Sequence, residues 1–386
     1  MLAKKLLNRL HPAKRHVVKY RLVTPSKANI CAVVRSEILD GKYDGGVRFP
    51  SEPALARRFG VSRSTVTRAL DRLKQEGLIV SRKGSGARVR FERLGGSRCI
   101  GLLVPGPESN RFYAGIVRGA EEKCRELGYE PLVRRVKAAD GKTRQRRDAS
   151  AVAREFIKNH VDGVLLFPFA PLRGQWDVNA IVLAALHREG IVVQLVNRPV
   201  DSPNGEMCDL VCVDNVAAGR RLARHLAERG VRRCVFLEVL PPIESVNQRY
   251  IGIAAEFAEI DGGEIHRVGR CARLAEAARG WMRRFRPQAF ACSCDFVAHQ
   301  LMDALSRIGV AVPGDVMVTG FDGVPGESDY AGRLTTIVQP LAEIGSTAIT
   351  RLVERVRNRS LPRCTILLDA PLVVRESTAA KAKGKR

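Results

Sequence analysis

The sequence predicts an α/β chain in two parts, a small helical head followed by a larger body built on a doubly wound parallel sheet. Three observations support this prediction. Helical spacing and turn residues fill the first ninety positions, apolar strand-like runs then alternate with helical patterns, and positive charge is concentrated at the start. The length of 386 residues also favours two or three domains over one.

The net charge of the chain narrows the range of partners. It is +25 overall, and residues 1–95 hold 22 Lys and Arg against 7 Asp and Glu. Such a charge indicates nucleic acid or an acidic membrane surface as partner. The sequence has no run of eighteen apolar residues and no secretory signal, so we expect a cytoplasmic protein with no membrane partner.

The ten cysteines form no CxxC pair and lack the Cys/His spacing of a zinc module. Cys99, Cys234 and Cys292 lie within apolar strand-like runs, where free cysteine behaves as a small hydrophobic residue. We therefore expect reduced thiols, no metal site and no cofactor.

In the head, the spacing predicts three helices and a two-stranded wing. A first helix covers 26–39, and Ser51 is a good N-cap for a second helix that has Pro53 in its first turn. Gly60 suits the sharp turn that follows, and Ser62 caps a third helix. This third helix buries a stripe of apolar residues, namely Val66, Ala69, Leu70 and Leu73. Residues 78–91 are predicted as two strands around a turn at Lys83, Gly84, Ser85 and Gly86.

The third helix also has a polar face. The residues off its apolar stripe include Arg63, Ser64, Thr65, Thr67 and Arg68. Arginine can donate two hydrogen bonds to guanine, and serine and threonine can bind bases or phosphates. A charged helix face alone is usually only solvated. Here a helix-turn-helix, a wing and a basic charge coincide, which predicts binding to double-stranded DNA.

The body has the alternating pattern of a parallel sheet covered on both faces. Its strand-like runs cover 99–106, 163–170, 191–197, 210–215, 234–239, 289–294 and 316–322. Ligands in such folds bind beyond the carboxyl ends of the strands. Those ends carry mostly polar residues, namely Asn110, Phe169, Asn197, Arg198, Asp214, Asn215, Asp295 and Asp322.

The body lacks the common catalytic motifs GxSxG, HExxH and GxxxxGK[ST], and no GxGxxG follows its first strand. Its strand-end carboxylates, amides and arginines suit a polyhydroxylated ligand, because charge-assisted hydrogen bonds hold hydroxyls and an aromatic ring can cover a sugar face. We therefore predict a binding domain without catalytic residues, not an enzyme.

Residues 20–91 resemble the GntR family of winged helix-turn-helix regulators. The matching segments are "FPSE" (49–52), "FGVSRSTVTRAL" (59–70), "LKQEGLI" (73–79) and "KGSG" (83–86). The resemblance implies that the helix after Ser62 enters the major groove and that the wing tip lies at the minor groove. Arg63, Ser64 and Thr65 would then contact bases or phosphates. Family members often have arginine at the position of Thr67, and some have it at Pro53, so the base preference stays open.

Residues 98–377 resemble the effector domain of LacI/GalR regulators, which is similar to periplasmic sugar-binding proteins. The matching segments include 100–133, "VDGVLLFP" (161–168), 213–237, "SVNQRYIGIAAEF" (245–257), "PGDVMVTGFDGVP" (313–325) and "LTTIVQPLAEIG" (334–345). The resemblance implies two lobes joined by crossovers near 197, 338 and 366, with a sugar in the cleft. The ligand contacts that it implies are Asn110, Phe112, Arg249, Asp295 and Asp322.

Three residues depart from that pattern. Cys294 stands where the family usually has asparagine, Arg111 where it has a small residue or proline, and Gly323 where a second aspartate is common. Structural roles are the alternative for the strongest candidates, because Asp322 could cap a turn and Arg249 could be paired with an acid.

The predicted boundaries are a disordered basic arm at 1–19, the head at 20–91, a linker at 92–97, the body at 98–377 and a basic tail at 378–386. Lobe 1 is expected at 98–196 and 339–366, and lobe 2 at 197–338 and 367–377. A GntR head on this body is similar to arabinose-repressor-type regulators. The prediction is a homodimeric repressor of sugar-utilisation genes. Its alternatives are a head fused to an enzyme, a vestigial cleft, and a purine ligand.

Overall fold

The structure, a computed structural model, describes residues 30–39, 42–43, 49–75, 78–82, 86–89, 97–107, 110–136, 142–170, 178–239, 243–324 and 332–379. The chain divides into two compact units, a head within the first 90 residues and a body from Phe91 onward. The predicted arm at 1–19, most of the linker and residues 380–386 lie outside the described residues. No helix among the described residues is both long and apolar enough to cross a membrane.

The head contains the predicted three helices and wing. Its elements are α1 (Ile30–Leu39), α2 (Glu52–Phe59), α3 (Arg63–Gln75), β1 (Ile79–Arg82) and β2 (Gly86–Val89), with β1 and β2 antiparallel. The predicted cap is confirmed, because Ser51 Oγ accepts a hydrogen bond from Ala54 N at 3.4 Å. Gly60 has a φ of 64°, as its turn requires. Leu55, Val66 and Leu73 are fully buried between the helices.

Lobe 1 of the body is a six-stranded, all-parallel sheet in the order β13-β7-β6-β5-β3-β4. Helices cover both of its faces, with α4 and α12 on one and α5 and α6 on the other. Its elements are β3 (Cys99–Pro105), α4 (Arg111–Glu126), β4 (Glu130–Val136), α5 (Lys142–Lys158), β5 (Gly163–Leu166), α6 (Val178–Arg188), β6 (Val192–Val196), α7 (Pro203–Glu206), β7 (Asp209–Val213), α12 (Leu341–Arg357) and β13 (Thr365–Leu368).

Lobe 2 repeats this arrangement with the order β14-β12-β11-β10-β8-β9, in which only β14 is antiparallel to its neighbour. Helices α8 and α9 cover one face, and α10 and α11 cover the other. Its elements are α8 (Asn215–Glu228), β8 (Arg233–Glu238), α9 (Glu244–Ala258), β9 (Glu264–Gly269), α10 (Leu274–Phe285), β10 (Ala289–Cys292), α11 (Asp295–Arg307), β11 (Met317–Asp322), β12 (Thr335–Val338) and β14 (Leu372–Val373).

The chain passes between the lobes three times, and the first passage differs from the prediction. It was expected near 197, but β7 pairs with β6 in lobe 1, so the chain enters lobe 2 only at Asp214. The reason is that residues 197–208 form the connection that two parallel strands require, with the single turn α7 inside it. The second passage follows Val338, as predicted, and the third lies at 369–371 instead of near 366.

The predicted start of the tail is also wrong, because Thr378 belongs to lobe 2. It is fully buried, and its hydroxyl lies 2.8 Å from both His225 Nε2 and Thr335 Oγ1. The body therefore extends at least to this residue.

In each lobe, one pair of helices packs closely because a glycine lies where the two helices meet. A Cβ on Gly119 of α4 would lie 2.0 Å from Ala342 O of α12. A Cβ on Gly252 of α9 would lie 2.1 Å from Val216 O of α8. The α8–α9 contact matters for function, because these two helices carry Asn215 and Arg249.

Candidate functional site: the recognition helix and the lobe junction

The start of α3 is organised by hydroxyl groups. Ser62 Oγ accepts from Thr65 N at 3.3 Å, as its predicted capping role requires. It also lies 2.8 Å from Thr65 Oγ1 and 2.9 Å from Ser64 Oγ. Arg63, Ser64 and Arg68 are exposed, while Thr65 is half-buried. The first turn of α3 thus presents donors and acceptors to solvent from a fixed backbone.

Thr67 contacts the helix before it. Its Oγ1 lies 3.0 Å from Arg63 O and 3.2 Å from Glu52 Oε2 of α2. A hydroxyl has one proton, so it donates to one of these oxygens at a time. Of the predicted wing residues, Lys83, Gly84 and Ser85 lie outside the described residues, and Gly86 begins β2.

A charged cluster joins α1 to α2 in the head. Glu37 accepts hydrogen bonds from Arg58, from Lys42 Nζ at 2.5 Å and from Tyr43 Oη at 2.7 Å. The Arg58 hydrogen bond is the main reason that the pKa of Glu37 falls to about 2. This cluster fixes α2, against which α3 packs.

In the body, Arg249 of α9 is buried at the junction of the lobes, with 4% of its surface exposed. Its Nε donates to Asn215 Oδ1 at 2.9 Å, and its Nη1 donates to Ser293 O at 2.5 Å. Nη1 also lies 3.3 Å from Asp322 Oδ1, and the guanidinium carbon lies 3.7 Å from the centre of the Phe321 ring. Arg249 is therefore paired with an acid, and the pairing holds the guanidinium in one orientation, while its predicted ligand contact stays a prediction.

Asp322 ends β11 with a φ of 115°, a left-handed conformation that is rare outside glycine. Its Oδ1 accepts from Gln339 Nε2 at 2.7 Å, and its backbone oxygen accepts from Gln339 N at 3.1 Å. Burial raises the pKa of Asp322, while Arg249 and Gln339 act in the opposite direction. Gln339 lies at the second passage between the lobes, so this pair connects the candidate site to the hinge.

Asp295 begins α11 and is 4% exposed. Its Oδ1 accepts from Thr336 Oγ1 at 2.5 Å, and its Oδ2 accepts from Val324 N at 2.8 Å. Burial, followed by the charge of Asp322, raises the pKa of Asp295 to about 7. These contacts make Asp295 a support for the segment after β11, and its predicted ligand contact stays a prediction.

Lobe 1 contributes aromatic and amide groups. Asn110 caps α4, and its Oδ1 accepts from Tyr113 N at 3.2 Å. Phe112 is half-buried, with its ring centre 5.5 Å from that of Tyr113. Burial is the main cause of the raised pKa of Tyr113, to which the charge of Asp322 in lobe 2 adds. The charge of Arg198 lowers this pKa and so opposes the effect of Asp322.

The structure explains one of the three departures from the family pattern. Gly323 has a φ of 72°, and a Cβ there would lie 2.8 Å from Val338 Cα, so any side chain would be strained. At Cys294, burial raises the thiol pKa to about 12, which leaves a neutral group beside the site. Arg111 is exposed at the start of α4.

The sequence analysis missed Gln339, which has no catalytic or ligand motif of its own. It is 3% exposed, and its Oε1 accepts no hydrogen bond from the described residues. The available signal was a polar residue directly after an apolar strand at a predicted crossover. Tyr113 was missed as well, because a tyrosine inside an amphipathic helix is usually a core residue.

Comparisons with known proteins agree with both parts of this architecture. Residues 27–89 match the model of bacterial regulatory proteins of the gntR family, and residues 223–378 match a periplasmic binding protein-like domain. The arabinose metabolism transcriptional repressor of Geobacillus stearothermophilus is 27% identical over 363 residues, which cover 89% of this chain and 95% of that protein.

A second relative is the HTH-type transcriptional repressor PurR of Photobacterium profundum. It is 26% identical over 346 residues, which cover 84% of this chain and 97% of that protein. Among solved structures, a complex of the transcriptional regulator CelR with cellobiose superimposes with a TM-score of 0.59 at 22% identity. This match covers 92% of this chain and 99% of that one. The chain therefore combines a segment similar to gntR-family regulatory proteins with a segment similar to periplasmic binding protein-like domains, and it shares the fold of the CelR structure.

Proposed function

We propose that the chain is a ligand-responsive transcriptional repressor that acts in the cytoplasm. In this proposal the head binds double-stranded operator DNA and the body binds a small sugar at the lobe junction. The relatives support this function, since they are named as repressors of arabinose metabolism and of the ribose operon. The exposed polar face of α3 supports DNA binding, because such a face carries the groups that recognise bases and phosphates.

The observation that carries the sugar assignment is the Arg249–Asp322–Gln339 group. It offers a fixed cation, a carboxylate and an amide oxygen that accepts no hydrogen bond from the part of the chain that the structure describes, all at the passage between the lobes. Vicinal hydroxyls both donate and accept, so they match this mixture. Phe112 of lobe 1 is suited to cover the apolar face of a sugar ring.

The residues proposed to contact the ligand directly are Asn110, Phe112, Arg249 and Asp322, with Gln339 added. Asp295 contributes by holding the segment after β11, through Val324 N. On the DNA side, Arg63, Ser64, Thr65, Thr67, Arg68 and the wing turn at 83–86 remain the proposed contacts.

The test is thermal unfolding of the full chain with L-arabinose, D-ribose, D-xylulose, cellobiose and guanine, each in a separate sample. A ligand at one hundred times its dissociation constant stabilises the folded state by about 2.7 kcal/mol, which raises Tm by a few degrees. We expect a sugar to produce this shift in the wild type and not in Asp322→Asn. If only guanine raises Tm, the ligand is a purine and not a sugar. The relatives named PurR make a purine the second candidate.

We also propose that the protein is a homodimer, because two heads related by a two-fold axis match a palindromic operator. Ligand binding then changes operator affinity through linkage, with a coupling of about 1–3 kcal/mol, or about 5–150-fold. Sedimentation equilibrium of the full chain tests the dimer, and a monomer at micromolar concentration contradicts it.

A further inference from the structure

Lobe 2 carries a group of arginines on and just after α10 and at the start of β8, away from the carboxyl ends of its strands. We call it the lobe 2 arginine cluster. It comprises Arg232, Arg233, Arg279, Arg283, Arg284 and Arg286, and all of them are exposed except the half-buried Arg233.

Two separate segments are held together to form this cluster. Gln288, just before β10, accepts hydrogen bonds on its Oε1 from Arg232 N at 2.7 Å and from Arg233 N at 3.0 Å, at the start of β8. Arg233 Nε donates to Arg286 O at 3.0 Å. The cluster is therefore a fixed feature of the fold, built across two neighbouring strands, and not merely a run of charges in the sequence.

The described acids do not neutralise the cluster. Glu276 pairs with Arg273 at 3.6 Å, and Glu264, the Cα partner of Arg233 in the β8–β9 pairing, lies 3.7 Å from His266 Nε2. Within the described part of the chain, no carboxylate forms an ion pair with Arg232, Arg279, Arg283 or Arg286. Several positive charges thus meet solvent together.

Local stability does not account for this arrangement. Arg279 and Arg283 are four residues apart on α10, where like charges repel one another. Arg286 has the left-handed conformation that favours glycine, with a φ of 45°. The helix dipole favours cations only in the last turn of α10, which explains Arg283 and Arg284 but not Arg232 or Arg279.

We propose that the lobe 2 arginine cluster binds the phosphate backbone of double-stranded DNA without reading its sequence. Guanidinium groups suit phosphate oxygens because their planar donors match two oxygens at once. DNA is favoured over an acidic protein because the proposed function of the head brings this chain to DNA. The operator contacts of the head are a separate site, so the two assignments can fail independently.

The test compares two variants of the full chain that lose equal charge. The cluster variant carries Arg232→Gln, Arg279→Gln, Arg283→Gln and Arg286→Gln. The control carries Arg118→Gln, Arg125→Gln, Arg147→Gln and Arg154→Gln, which are exposed residues of α4 and α5. Arg233 and Arg284 are left in place because they make contacts within lobe 2. Unchanged thermal unfolding of both variants confirms that they are folded.

The measurement is the salt dependence of binding to a duplex without an operator. Each lost phosphate contact makes the negative slope of log K against log salt shallower by about 0.9. The slope of the cluster variant should therefore be about 2 to 4 units shallower than that of the wild type. Its affinity at 0.1 M salt should fall about tenfold or more. A control with the same loss, or a cluster variant with the wild-type slope, overturns the proposal. If the cluster variant loses only poly-L-glutamate binding, the partner is an acidic polypeptide instead.

An Arg63→Ala variant separates this proposal from the function of the head. It should lose operator preference while keeping the contribution of the cluster to the salt slope. A cluster variant that keeps full operator preference, with a reduced slope on non-operator DNA, supports both assignments.

Discussion

The arginines proposed to contact DNA in the head and ligand in the body are held in opposite ways. On α3, Arg63 and Arg68 are exposed, and Arg68 Nε donates to Ser64 O of the same helix at 3.4 Å. Exposed arginines are common where phosphates and bases are contacted. In the body, Arg249 is buried and already bonded to Asn215, Ser293 and Asp322. The difference indicates that DNA binding depends on long-range, salt-sensitive attraction, whereas effector binding depends on groups that are oriented before the ligand arrives.

The largest expected effect comes from breaking the Arg249–Asp322 pair. Arg249→Met leaves the half-buried Asp322 without its cation, and the loss of unfolding free energy should approach the roughly 3–5 kcal/mol that breaking a fully buried pair costs. Chemical denaturation should report this loss, together with the loss of the ligand-induced Tm shift. The double variant Arg249→Met/Asp322→Asn, in which asparagine tolerates the positive φ of this position and carries no charge, should recover most of the stability but no ligand binding. A single variant as stable as the wild type contradicts the role of the pair.

The next effect is a dependence of stability on pH that arises from Asp295. Its pKa is about 7 in the folded body, above the ordinary value of 3.8. As pH rises, Asp295 loses its proton in the unfolded state before it does so in the folded state. Its contribution to the unfolding free energy therefore falls between about pH 4 and about pH 7 and does not change further above that. Asp322, Arg249 and Cys294 face the same region, so the comparison must be made against a matched variant.

Asp295→Asn is that variant, because an amide resembles the protonated acid. Its oxygen can accept from Val324 N while its NH₂ donates to Thr336 Oγ1, whose own proton turns to Ile337 O, 3.3 Å away. The unfolding free energy of the variant, measured between pH 4 and pH 8, should fall less than that of the wild type. Parallel curves for the two proteins would show that Asp295 does not titrate in this range.

A smaller effect is expected from the exposed face of the head. Arg63→Ala should weaken operator binding by about 1–3 kcal/mol while unfolding free energy changes by no more than about 0.5 kcal/mol. Fluorescence anisotropy with labelled operator measures the first quantity and denaturation the second. A stability loss as large as that of Arg249→Met would remove the contrast between the two regions.

The smallest effect on stability is expected from adding a charge pair to the head. Thr67→Arg places a guanidinium beside Glu52, whose carboxylate now lies 3.2 Å from the threonine hydroxyl. Pairs near the surface contribute about 0–1 kcal/mol, so Tm should rise slightly or not at all. The base preference, measured by selection from a random operator library, should nevertheless change. An unchanged preference would show that residue 67 does not face the bases.

Much of the fold follows from local sequence signals. The caps at Ser51 and Ser62, the turn at Gly60 and the apolar runs of β3, β5 and β8 all require only neighbouring residues. Periodicity did not reveal β4 or β9, since both are edge strands with mostly half-buried residues. The first crossover was misplaced because the membership of β7 in lobe 1 depends on pairing with β6, a tertiary contact.

In the candidate site, too, some residues could be predicted from local sequence, whereas their contacts depend on the tertiary structure. Asp322 and Arg249 could be identified from motifs at a strand end and in a helix, but their pairing could not, because 73 residues of chain separate them. Gln339 could be identified only from the structure, in which β12 ends beside Asp322 and Gln339 donates to that carboxylate. The conformation of Gly323 explains why an aspartate is absent there, which the sequence showed only as a departure from the family pattern.

The central claim is that a ligand in the body controls DNA binding by the head. The most direct measurement is the operator dissociation constant of the full chain by fluorescence anisotropy, with and without the sugar that gives the largest Tm shift. This account predicts a change of at least about fivefold at saturating sugar, and no change in Asp322→Asn. A sugar that shifts Tm through the lobe junction but leaves the operator dissociation constant unchanged would contradict it.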